Sequence, residues 1–391
     1  MNLTLPDNLP RPTELLLYRY RLPMRQKFEH ATASRDVNEG LLVRLRLADG
    51  SEGLGEGLPR PYVTGETIGS AVDIIRQEYA ARLAGPSPLA AGPVEGSAMG
   101  VWHNAAWCAC ELAYLDACAR SVRRPLAEFL GQALGRPVQR HIVPRVAGVI
   151  GSNGPEHVAS QVFRMRLFGL RDFKLKIGLA NDRALLRAAF RRLKPLLARG
   201  AATLRVDVNG VWSLDQTVKA CAWLKNFKVA ALEQPLRRGD EADLPLLRQQ
   251  SQVPLMLDES LIDLAGARRL AADGAADYWN IRITKNGGLL QSLQLADLAA
   301  ENHIGLMLGA LVGESGILSA AARVFLQLAP PVRFLENSYG SFLLKRDLVL
   351  QRTRFGYGGR IRPLAGNGLG VELNESALAD LTEEVARIPL T

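Results

Sequence analysis

Cysteine and histidine are scarce in this chain, four and five of 391 residues. Three of the cysteines, Cys108, Cys110 and Cys118, share one helical stretch, and Cys221 stands apart. Those spacings fit neither a zinc cluster nor a disulfide framework, so the four read as small buried residues. His30, His103, His141, His157 and His303 are scattered without ligand spacing, and none enters the candidate site. No run of about eighteen uncharged apolar residues is present, and Met1 to Pro12 carries polar residues and prolines where a signal peptide has an apolar block. A cytoplasmic protein with no membrane partner is expected. There is no low-complexity tract. The glycine-rich stretches Gly53 to Gly57 and Gly366 to Gly370 do not stand between a buried parallel strand and a helix, as a dinucleotide loop requires, and read as turns.

What the chain has is length, an apolar core and positive charge. At 391 residues with 48% hydrophobic and 22% charged residues it suits two soluble domains. The net charge of +9 would suit an anionic partner. Yet Arg183, Arg187, Arg191, Arg192, Arg268 and Arg269 fall on predicted helices, without an aromatic-laced stripe or a nucleic-acid motif. A solvated face that steers carboxylate substrates is expected, with no nucleic-acid partner.

Five short polar segments recur at nearly equal spacing: Lys174-Leu175-Lys176, Asp207-Val208-Asn209, Glu233-Gln234-Pro235, Asp258-Glu259-Ser260 and Lys285-Asn286-Gly287-Gly288. The steps from Lys176 onward are 31, 26, 25 and 27 residues, about one strand plus one helix of a parallel barrel. Each follows a run rich in β-branched residues, such as Thr203 to Val206, and precedes a helical pattern. Strand alternation puts Lys174 and Lys176 on one face, and Asp207 and Asn209 likewise. Exposed loop charges would predict neither the period nor the paired faces.

Barrel strands are expected near 145–150, 172–177, 203–208, 229–234, 254–259, 278–284, 305–310 and 332–337. Before them, residues 14–20, 41–47 and 52–57 read as strands, the last two joined by the Asp49-Gly50 hairpin signal, and helices are expected at about 66–83 and 102–120. Ser213 with Gln216 forms a capping-box signature. This gives a cap of α+β type over 1–140, a barrel over 141–345 and a final segment over 346–391.

The set resembles the enolase superfamily, and more closely its muconate-lactonizing branch, which carries Lys-x-Lys on the second barrel strand and a lysine on the sixth. Here those match Lys174-Leu175-Lys176 and Lys285. The helix Ala105 to Asp116, the stretch Pro125 to Gly131 and the tail Gly368 to Leu373 are similar to the family's as well, so the resemblance covers nearly the whole chain. It implies a modified TIM (β/α)7β barrel, with the final segment returning to the capping domain, and a homo-oligomer.

Asp207, Glu233 and Asp258 supply three carboxylates from adjacent strands, a hard-oxygen set suited to Mg2+, with Mn2+ as the substitute, and the resemblance implies the same three ligands. Zinc is disfavoured for want of His or Cys. The expected chemistry is removal of the α-proton of a small carboxylate substrate through a metal-stabilised enediolate. Lys176 and Lys285 are the expected acid–base pair on opposite faces, with Lys174 as electrostatic helper. Racemisation or epimerisation, cycloisomerisation, and elimination by a lyase such as a dehydratase or an o-succinylbenzoate-synthase-like enzyme all remain open. A catalytically silent barrel binding anions through its basic surface is the non-enzyme alternative. Glu259 is expected on the opposite face from Asp258, and Asn209 as an orienting group. The Asp-x-Asp pair of the branch's dipeptide epimerases is missing at the eighth strand, where Glu336 can replace one carboxylate. Glu314 matches a family position near the substrate, or else orients the next helix. Arg25 to Arg35 and Pro59 to Glu66 correspond to specificity loops, with Arg60 and Tyr62 as candidate contacts to the distal end of an anionic substrate.

Overall fold

Two sheets with opposite strand logic share the chain. In the computed structural model, residues 1–2, 31–32, 95–100, 152, 180 and 391, and the side chains of 26–35, lie outside the description, so the segment 25–35 falls largely outside it. Among the described residues the first sheet is antiparallel, ordered β12 (Thr382–Pro389), β1 (Pro12–His30), β2 (Ala33–Leu47), β3 (Glu52–Gly57). The Asp49-Gly50 turn forms as expected, with Gly50 at φ 84° and the Ser51 amide donating to Asp49 Oδ1 at 2.9 Å. The tail reaches back across the molecule, since β12 pairs with β1 through Leu15 opposite Ile388 and Leu16 opposite Arg387.

The helix Asn104–Ser121 is buried over almost its whole length because it lies on β3. Gly53, Gly55 and Gly57 occupy one strand face, and the helix backbone presses into the space where side chains would be. A β-carbon at Gly55 would stand 1.8 Å from the Ala109 carbonyl oxygen, and one at Gly53 2.1 Å from that of Ala113. The expectation of a turn at 53–57 is thus corrected: the glycines are strand interior, needed for close approach. Gly366, Gly368 and Gly370 all have positive φ, as a turn requires.

The second sheet is parallel, β4 (Gly148–Ile150), β5 (Asp172–Lys176), β6 (Thr203–Asp207), β7 (Leu232–Glu233), β8 (Leu255–Leu257), β9 (Tyr278–Ile281), β10 (Gly305–Leu308) and β11 (Val332–Leu335), in sequential order. A bridge between Val146 and Leu335 joins its two edges. Helices separate successive strands, among them Leu214–Leu224, started by the Ser213–Gln216 capping box. Seven strand–helix units and a final strand make the modified (β/α)7β barrel. Its lower interior is filled by Ala231, Met256, Met307 and Phe334, the two methionines and the phenylalanine each contributing about 2 kcal/mol of apolar burial. No described helix is long and apolar enough to cross a membrane.

Candidate active site

The inward face of each barrel strand is fixed by alternation. Lys174 and Lys176 project from β5, Arg205 and Asp207 from β6, Glu233 from β7, Asn280 from β9, while Asp258, Arg282 and Glu336 stand just beyond the ends of β8, β9 and β11. The result is a charged plug in two tiers.

In the lower tier Lys174 Nζ lies 2.6 Å from Glu336, 3.3 Å from Glu233 and 3.3 Å from Asp207. Arg205 Nη2 lies 2.6 Å from Glu336, and its guanidinium stacks 4.6 Å from the Phe334 ring centroid. Burial disfavours the Lys174 ammonium, but Glu233, Glu336 and Asp207 outweigh it and hold the amine well above the usual lysine range. Three carboxylates thus favour Lys174 as a cation. Glu336 pairs with it and with Arg205, two cations with which a substrate ammonium would have to compete were Glu336 to replace one carboxylate of the missing pair.

In the upper tier Lys176 Nζ donates to Asn209 Oδ1 at 2.9 Å and lies 3.7 Å from Asp207. Its side chain is 23% exposed, against 4% for Lys174. Asn209, at φ 50°, also donates to Asp207 and to Glu259 Oε1, the latter at 3.1 Å. Glu259 therefore faces the site, contrary to the expectation of the opposite face. The reason is that β8 ends at Leu257, so alternation carries as far as Asp258 but no longer governs Glu259. Burial and the neighbouring Asp258 and Asp207 push the Glu259 carboxyl up.

The three candidate ligands differ in setting. Burial opposes the Asp207 carboxylate, but Lys174, Lys176 and Arg282 hold it down to about 2. Burial raises Glu233, and Asp207, Glu336 and Asp258 add to the rise against Lys174. Glu233 Oε1 accepts from Asn280 Nδ2 at 2.8 Å, whereas its buried Oε2 has no hydrogen-bond donor. Asp258 accepts from the Arg282 guanidinium on Oδ2 and from Lys285 Nζ on Oδ1 at 3.0 Å.

Lys285 departs from its expected place. It lies four residues past the end of β9, is 1% exposed, and donates to the Asp258 carbonyl at 2.6 Å, Asp258 Oδ1 at 3.0 Å and the Asn280 carbonyl at 3.1 Å. Three oxygens surround the nitrogen, so it is engaged within the protein rather than turned to the mouth, and burial lowers it below the usual lysine range against the pull of Asp258. The cation that the end of β9 aims at the carboxylates is Arg282. The parity of Tyr278, Asn280 and Arg282 carried that signal, as did the parity of Arg205 with Asp207.

At the rim, Glu314 is 6% exposed, accepts from the Leu311 amide at 2.8 Å and from Asn337 at 3.3 Å, and burial raises it to about 8, Glu56 adding and Arg282 opposing. Arg60 is 5% exposed and donates to Asn38 Oδ1 at 2.7 Å and to the Glu39 and Pro59 carbonyls, so it braces the cap rather than facing substrate, which corrects that expectation. Tyr62 is exposed.

The donor chemistry of the trio suits a divalent cation, being three buried carboxylates, and Glu233 Oε2 makes no hydrogen bond, although Lys174 and Arg205 stand 3.3 and 3.5 Å from it. Among the described residues, however, no three acidic, His or Cys side chains converge as closely as a formed metal site requires, since cationic side chains stand between them.

A sequence profile of the Enolase C-terminal domain-like family matches residues 157–377, more than half of the chain. The chain is 27% identical over 383 residues to N-succinyl-L-Arg/Lys racemase of Bacillus cereus, covering 95% of this chain and 97% of that protein. It is 30% identical to muconate cycloisomerase 1 of Pseudomonas putida, over 87% of this chain and 89% of the other. The crystal structure of N-succinyl Arg/Lys racemase from Bacillus cereus superposes with a TM-score of 0.83 at 25% identity, covering 97% of this chain and all of that one. With the capped (β/α)7β barrel and its ring of strand-end charges, these likenesses establish that the chain belongs to the Enolase C-terminal domain-like family, as an enzyme on the muconate-lactonizing side of the enolase superfamily.

Proposed function

We propose that the chain is an isomerase that removes the α-proton of a small carboxylate with Lys176 as its one acid–base group. The observation that carries this is the unequal commitment of the three lysines. Lys174 is locked as a cation among Glu336, Glu233 and Asp207, Lys285 is spent on Asp258 and Asn280, and Lys176 alone reaches the mouth, held by Asn209. Asn209 fixes the amine's direction, and Lys174 beneath it supplies charge without exchanging protons.

Mg2+, or Mn2+ in its place, held by Asp207, Glu233 and Asp258 would supply fixed positive charge for the substrate carboxylate. The chain's own part is to keep water out beneath the trio, to orient Lys176, and to receive an anion through its positive balance. A single base returns a proton to the face it came from, which suits cycloisomerisation better than racemisation. With Glu336 committed, no acidic pair awaits a substrate ammonium, so N-blocked or amine-free acids suit the mouth better than free dipeptides. Racemisation is the second reading, favoured by the Bacillus cereus relative. It needs a proton carrier on the other face, and Lys285 would have to leave three acceptors to act as one.

The test is proton–deuterium exchange at the α-carbon, followed by NMR in deuterated water across a carboxylate library that includes muconate and N-succinyl amino acids. Exchange lost in Lys176→Ala, with any product of a single configuration, is expected. Exchange surviving that substitution, or full scrambling of configuration, overturns the one-base assignment.

A further inference from the structure

The cation nearest to Asp258 Oδ2 belongs to the chain itself. Arg282 is 14% exposed, its guanidinium sits on that oxygen, and it lies 3.9 Å from Glu233 Oε1. With Lys285 on Oδ1, both oxygens of Asp258 are taken. Beside them is an acceptor without a donor: Glu259 Oε2 is buried with no hydrogen-bond partner, while Oε1 takes Asn209. Arg282 carries an attractive charge toward Glu259 and Glu314 alike, so the guanidinium already lies within their field.

We propose that Arg282 has two seats, Asp258 and Glu259, and that a divalent ion taken up by Asp207, Glu233 and Asp258 moves it from the first to the second. This rests on the reading of those three carboxylates as metal ligands. A dication and a guanidinium cannot share Asp258 Oδ2, because at contact distance like charges in a buried site repel strongly. Arginine cannot relieve the conflict by releasing its proton, so it must move. The flat, forked guanidinium matches a second carboxylate as well as the first, and Glu259 is the neighbour with an oxygen to spare. In that seat Arg282 stands with the Asn209 that positions Lys176, as a fixed cation at the mouth available to a substrate's second anionic group. By linkage, whatever favours the first seat weakens metal binding, and whatever favours the second strengthens it.

Calorimetric titration of Mn2+ into the chelator-stripped full chain tests this, with Arg282→Gln, Glu259→Gln and the double variant alongside the parent. Removing the resident cation is expected to tighten Mn2+ binding about tenfold. Glu259→Gln is expected to weaken it about fivefold in the arginine background and to leave it unchanged in the Arg282→Gln background, because only an arginine needs the second seat. Unchanged or weaker binding in Arg282→Gln overturns the proposal, as does equal weakening by Glu259→Gln in both backgrounds. Should Arg282→Gln fail to fold, Arg282→Lys keeps the charge but loses the fork, and Mn2+ affinity equal to the parent's overturns the proposal. Absence of Mn2+ binding in the parent and in every variant overturns the ligand assignment itself, a result distinct from all of these.

Discussion

Buried carboxylates are found in two regions, the cap with its seam to the barrel and the barrel mouth, and they are answered by different donors. In the seam, Glu56 accepts from the Ser315 and Leu318 amides, the Ser315 hydroxyl and Tyr20. Glu111 takes the Leu289 and Leu290 amides across the seam, and within the cap and its returning tail Glu66 takes those of Ala105 and Ala106, and Asp116 those of Leu54 and Leu369 together with the Arg120 guanidinium. Most of these donors are main-chain groups at helix starts, where amides have no partner within the helix. At the mouth, Asp207, Glu233, Asp258 and Glu336 are answered mainly by Lys174, Lys176, Arg205, Arg282 and Lys285. Main-chain donors cannot leave, whereas side-chain cations can. The seam is built for stability and the mouth for exchange.

Substitutions can break that distinction, and the largest effect is expected at the mouth. Lys176→Met should lower turnover by about a thousandfold, as loss of a general base does, while leaving the melting temperature within a few degrees or raising it. A large fall in melting temperature would make Lys176 structural. Second is Glu56→Ala, which leaves four donors without an acceptor and should cost about 4 kcal/mol in urea unfolding. Gly55→Ala comes next, at about 3 kcal/mol, because the Ala109 carbonyl has nowhere to move.

A smaller effect with a definite sign is expected at Glu66, which burial raises from 4.5 to about 7. Since the folded value lies above the unfolded one, the proton's contribution is complete below the unfolded value and disappears as pH climbs through 7. The advantage of wild type over Glu66→Gln should therefore shrink by roughly 3 kcal/mol between pH 4.5 and 7.5 in denaturant titrations. A gap that widens with pH would reverse the assignment. The smallest effect is expected at Lys219→Ala. It breaks a 2.6 Å pair with Asp215 whose partners are 74% and 72% exposed, and should change stability by less than about 0.5 kcal/mol.

Much of the site was legible in the chain because strand periodicity is local. The recurrence of polar residues after β-branched runs located β5 to β9, and alternation placed Lys174, Lys176 and Asp207 on the inner face. It failed where the strand itself stopped. Glu259 lies past the end of β8 and Lys285 past the end of β9, so counting residues no longer tells direction, and a lysine by name drew attention from an arginine by position. The partners of Arg60 and Glu336 were illegible for another reason. A charged residue reads as available until its partner, far away in sequence, is known, and those partners are Asn38 for Arg60 and Lys174 and Arg205 for Glu336.

The sequence by itself determined the order of strands and helices, a barrel of eight parallel strands and the gathering of lysines and carboxylates at one end, because hydrophobic period and turn chemistry act between near neighbours. Only the tertiary structure decided which of those charges are engaged, which amine remains at the mouth, and that the helix backbone presses against the three glycines of the strand at 52–57. Those outcomes depend on distances between residues tens to hundreds of positions apart, which closure of the barrel and docking of the cap bring together.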